Sequence, residues 1–148
     1  MKTIFILATL LFTATHLAAQ PLVSQEEYVK YQKISATSAN EGFIEDPKAP
    51  KIIIFQPEVT KTVKAPFPIE VFFRPFENQK IAWGSFKALY GSMQFDITER
   101  LLKMATISDN SLFISNADIP VGIHRITLLI ADDMQRKSQK EFIVAVEK

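Results

Sequence analysis

The chain has 148 residues, with 17 Lys and Arg against 16 Asp and Glu, and it contains no Cys. So even a balance lacks the basic excess that nucleic acid or an anionic membrane surface demands of a partner. Without Cys there is no disulfide and no lipid-modified thiol, so the fold rests on burial alone, which a domain of about 100 residues can supply.

The first residues read as an address. Met1-Lys2 gives a short positive start, Ile4 to Thr15 is an apolar run too short to span a bilayer, and Leu17-Ala18-Ala19 offers small residues for cleavage. A secretory signal peptide over residues 1–19, cut near Ala19, is expected, and with it a periplasmic or secreted location and no membrane span in the mature chain. Cleavage removes Lys2 and His16, leaving equal numbers of acids and bases and a single His, His124.

Residues 20–50 are polar and small, with Ser35 to Asn40 the most linker-like run, and are expected to be an N-terminal linker. One ordered element is predicted within it. Ser24 with Glu27 three positions on is a capping box, Val23 and Tyr28 are spaced as a hydrophobic staple, and about two turns of helix over Gln25 to Lys33 follow. So short a helix needs a surface to lie on, and it would present Tyr28 and Tyr31 on one side as a docking element for a partner.

The globular domain is expected over residues 51–148. Ile52 to Phe55 is apolar on both faces and ends before Pro57, which suits a first strand and a candidate sheet edge, and Val59 to Lys64 would continue it. Ile69, Val71 and Phe73 alternate with Glu70, Phe72 and Arg74, bracketed by Pro68 and Pro75, and predict a second strand. Ile81 to Tyr90 predicts a third, with Phe86, Ala88 and Tyr90 on one face. Short strands follow at Phe95 to Ile97 and Met104 to Ile107, with Thr98 placed to cap a helical turn through Leu102. Asp109-Asn110-Ser111 is a turn leading to the alternating Leu112 to Ser115.

The closing stretch carries the clearest pattern. Pro120 and Gly122 mark a turn. Then His124, Ile126, Leu128 and Ile130 share one face of a strand, Asp132 to Lys137 is a polar loop, and Phe142, Val144 and Val146 alternate through the last strand. These two strands should pair antiparallel and need a second sheet against which to bury their apolar faces. The pattern of Pro120, Gly122, His124, Asp132, Phe142 and Val144 resembles the end of bacterial immunoglobulin-like (Ig-like) domains. The resemblance implies an all-β fold, a single Ig-like antiparallel β-sandwich of about seven strands. Such domains often carry Gly in this hairpin loop, whereas here the loop holds Met134-Gln135-Arg136.

Little in the sequence points to chemistry. One His and no Cys do not make a zinc or copper site, and no residue near His124 in sequence is placed as a nucleophile. Copper-resistance proteins of this kind of fold use His or Met near the mature N-terminus, and Gln20-Pro21-Leu22 has neither. Asp132 and Asp133, with Asp96 and Asp118, are candidate calcium ligands, but they lack the dense spacing of a calcium loop and are expected to shape turns instead. No catalytic residue, metal ligand or cofactor-binding residue is expected. The function expected is a non-catalytic interaction module for another secreted or envelope protein, binding through loops or an unpaired sheet edge. The alternative is a small-ligand carrier, for example for a carbohydrate, using Trp83 and Tyr90.

Overall fold

The computed structural model describes residues 20–32, 46–58 and 60–148. The expected signal peptide and the linker-like run from Ser35 to Asn40 lie outside the described residues. Two β-sheets pack face to face. The four-stranded sheet has the order β1 (Lys51–Gln56), β3 (Phe67–Arg74), β7 (Ser111–Ala117), β6 (Thr106–Ser108). The five-stranded sheet runs β2 (Thr62–Lys64), β9 (Lys137–Glu147), β8 (Gly122–Asp132), β4 (Ile81–Tyr90), β5 (Phe95–Asp96). The expected all-β sandwich is therefore observed. It has nine strands among the described residues rather than about seven, because β2, β5 and β6 are only two or three residues long.

Period-two alternation decides which side chains meet in the middle. Ile69, Val71 and Phe73 from β3 and Leu112 and Ile114 from β7 face Phe86, Ala88 and Tyr90 from β4. Beside the β4 residues, in the same sheet, stand Ile126, Leu128 and Ile130 of β8 and Phe142, Val144 and Val146 of β9, all buried. Each large apolar side chain so buried contributes about 1.5–3 kcal/mol. The β8–β9 hairpin is paired without a break from Gly122↔Val146 to Ala131↔Lys137. Its loop is closed by Asp132, which is fully buried; Oδ1 accepts N–H bonds from Met134 and Arg136, and Oδ2 accepts from Arg136 Nε at 2.7 Å. Burial pushes the Asp132 pKa up, yet these donors outweigh it and hold the carboxyl below its ordinary value. Gln135 occupies the left-handed position, φ 62°, where a Gly was missed in the sequence.

Three expectations differ from the structure. Val59 to Lys64 does not extend the first strand: β1 pairs antiparallel with β3, whereas β2 crosses to the other sheet and pairs parallel with β9. The prolines between and around them remove the N–H groups that a continuous ladder would need. Nor does the folded unit begin at residue 51. Leu22 and Val23 are wholly buried in the core, and Leu22 N–H donates to the Asp118 carbonyl at 2.9 Å. At the C-terminal end of β5, α2 (Thr98–Met104) follows, but Thr98 does not cap it. Its hydroxyl accepts the Ala88 N–H at 2.9 Å, and Asp96 Oδ1 accepts the Thr98 N–H instead.

Candidate interaction surface

The predicted capping box is formed. Ser24 N–H donates to Glu27 Oε2 at 2.8 Å, Glu27 N–H donates to Ser24 Oγ at 3.2 Å, and α1 (Gln25–Gln32) starts there. Both tyrosines of α1 are turned onto the chain's own sandwich. The Tyr28 ring lies 4.8 Å from the His124 ring and passes over Gly122. Tyr31 stacks on Phe95 at 4.9 Å and meets Tyr90 edge-on. A Cβ at Gly122 would sit 2.0 Å from the Tyr28 hydroxyl oxygen, so that ring packs where a side chain is absent, and one at Gly91 would sit 3.2 Å from Tyr31 Cβ, where α1 passes close to the turn after β4. Glu27 fastens the helix through two bonds from Arg100 of α2, at 2.8 and 2.9 Å. That guanidinium, more than any other neighbour, holds the Glu27 carboxyl down to about 2. The surface that Tyr28 and Tyr31 were expected to offer a partner is thus engaged within the chain.

Trp83 and Tyr90 do not form one site. Tyr90 is 1% exposed, and its hydroxyl is bonded to His124 Nδ1 at 2.7 Å. An external ligand finds no ring there. Trp83 is half-buried, edge-on to Phe73 at 5.1 Å and beside Phe86, and its indole N–H donates to the Asp109 carbonyl at 3.3 Å. Its remaining edge lines a recess with Gln79, Lys80, Ile81, Ile107 and Asn110. A break in the β4–β8 register between Ala82 and Lys87 explains how Trp83 reaches the interior side. Within it Ser85 Oγ donates to the Ala82 carbonyl and accepts the Ala131 N–H, replacing ladder bonds that the strand has lost.

The outer faces of the two sheets differ in kind. On the five-stranded sheet Arg125 pairs with Glu141 at 3.6 Å and Lys87 with Asp96 at 3.2 Å, and the exposed apolar residues beside them, Ile123 and Ile143, are aliphatic. On the four-stranded sheet Phe55, Phe72 and Phe113 stand 59%, 39% and 39% exposed. Phe72 lies across from Ile53 of β1 and one diagonal from Phe113, which is opposite Glu70. The Phe55 and Phe72 rings meet edge-on at 5.9 Å, Phe55 sharing the outer face with Ile53 two residues before it. The result is an apolar diagonal from the end strand β1 to β7, bordered by Ser111, Ser115 and Thr106. In the sequence Phe72 and Phe113 fall on the polar side of alternating strands, whereas Phe55 ends the run that reads as apolar on both faces and as a sheet edge.

The candidate calcium ligands have separate tasks: Asp132 closes the β8–β9 loop, and Asp96 binds Thr98 N–H and Lys87. Among the described residues no group of three His, Asp or Glu side chains converges as metal ligands. No family model matches the chain, and no curated protein matches it. Among solved structures, the crystal structure of CopC from Methylosinus trichosporium OB3b is similar over 59% of this chain and 82% of that one, at 11% sequence identity and a TM-score of 0.38.

Proposed function

We propose that the chain is a non-catalytic interaction module of the periplasm or cell exterior, an Ig-like sandwich released from a leader cut near Ala19. It takes up an extended segment of another secreted or envelope protein along β1. The observation that carries this reading is the contrast between the outer faces. One carries two ion pairs among the aliphatic Ile123 and Ile143, and the other exposes the aromatic Phe55, Phe72 and Phe113 beside a strand that is last in its sheet among the described residues. An added strand would gain backbone hydrogen bonds from β1 and lay alternate side chains against the aromatic diagonal. The test is a crosslinked pull-down from periplasmic and secreted fractions, comparing the mature protein with F55S/F72S/F113S. A protein captured by the first and lost with the second supports the reading. Equal capture removes the aromatic face from it, and no captured protein overturns it.

A second reading, carriage of a small ligand, is favoured by the recess beside Trp83, where an aromatic edge stands among Gln79, Lys80 and Asn110. Tyr90 has no part in it. Calorimetric titration with mono- and oligosaccharides checks this reading, since a binding isotherm abolished by W83A would establish it.

A further inference from the structure

We infer that the mature chain carries a lactam terminus, with Gln20 cyclised to pyroglutamate; this rests on the proposed leader cleavage after Ala19. Gln20 is exposed, while two residues on Leu22 and Val23 are wholly buried. Leu22 is gripped on both sides of its peptide unit, its N–H donating to Asp118 and its carbonyl accepting from Arg100 at 3.0 Å. The clamp leaves Gln20 and Pro21 as the end accessible to chemistry, at the rim of a recess lined by Asp96, Thr98, Glu99, Arg100 and Lys103.

A new terminal ammonium there would gain little from the acids around the recess, because Glu27 already holds Arg100, Glu99 holds Lys103 at 2.7 Å, and Asp96 holds Lys87. A terminus without charge suits this site better than an ammonium set beside Arg100 and Lys103. The reaction needs no co-reactant. The neutral α-amine attacks Cδ of its own side-chain amide, the new N–Cδ bond closes a five-membered ring, the Cδ–Nε2 bond breaks, and ammonia leaves with the proton that the amine sheds. The product has no primary amine, so an aminopeptidase has no substrate at the one stretch that the clamp leaves open.

The experiment is secretion of the full chain from a bacterial host, with intact mass and N-terminal peptide sequencing of the exported protein. The expected result is a chain beginning at position 20 and lighter by the mass of one ammonia. It should resist stepwise N-terminal degradation, whereas Q20A exported in parallel is degraded from its free amine. A chain beginning at Gln20 with its full mass and a free amine overturns the inference and leaves the leader reading standing. A chain that is uncut, or cut elsewhere, overturns both.

Discussion

Tyr90 and His124 form a buried pair whose proton positions are fixed by a third group. His124 Nε2 lies 2.7 Å from the Pro120 carbonyl, which only accepts, so Nε2 carries the proton. Nδ1 is then the acceptor, and the Tyr90 hydroxyl donates to it at 2.7 Å. Burial holds the His124 pKa below its ordinary 6.5 and pushes that of Tyr90 up, so both groups are neutral in the fold.

This pair gives the first prediction. As pH falls through about 6.5 the unfolded His takes a proton that the folded one refuses, so stability is full above that value and declines below it, until the folded His124 also protonates. Urea unfolding from pH 7.5 to 5 should show this slope. H124F should lose it, and should cost about 2–4 kcal/mol at neutral pH by leaving the Tyr90 hydroxyl and the Pro120 carbonyl unpartnered.

A second acid-sensitive element works in a lower window. Glu27 is depressed from 4.5 to about 2, so its contribution is complete above pH 4.5 and is lost as pH drops toward 2. E27Q should cost about 1–2 kcal/mol at pH 7, between an exposed and a buried ion pair, and should match the wild type near pH 2. Chemical denaturation at both pH values checks this; an equal deficit at both would mean that the Arg100 contact is not the cause.

Gly122 tests how α1 is held. Its φ of 144° excludes side chains at a cost of about 1–3 kcal/mol, and an added Cβ would collide with Tyr28. G122A should free α1 from the sandwich, seen as faster proteolysis between residues 24 and 32 with the β8–β9 hairpin still protected from hydrogen exchange.

In the hairpin loop the direction reverses. Gln135 sits at φ 62°, a conformation that costs a residue with a Cβ about 1–2 kcal/mol. Q135G should raise stability by about 0.5–1 kcal/mol, the relief being partly offset by the greater entropy that Gly loses on folding. Thermal unfolding of the two proteins measures it.

Most of the sandwich was legible because alternation is a local property. β4 spans Ile81–Tyr90 as read, and His124, Ile126, Leu128 and Ile130 face inward together. What escaped depends on contacts distant in sequence. Leu22 and Val23 are two apolar residues without a period, and only Asp118 and Arg100, far along the chain, give them a place in the core. The destination of Tyr28 and Tyr31 was hidden for the same reason, since it is set by the missing side chain of Gly122 for one ring and by Phe95 and Tyr90 for the other. Trp83 and Tyr90 were paired as one site on spacing alone, and the register break between Ala82 and Lys87 is not written in residue type.

The parallel pairing of β2 with β9 bears on how the molecule carries a load. Tension that enters through β2 and leaves through Glu147 runs along both strands in opposite directions. It therefore shears the three pairs Thr62↔Ala145, Val63↔Val146 and Lys64↔Glu147 together instead of peeling them one by one. A load on β9 would meet those three pairs on one edge of the strand and the Gly122↔Val146 end of the β8–β9 hairpin on the other, so the two resist it together.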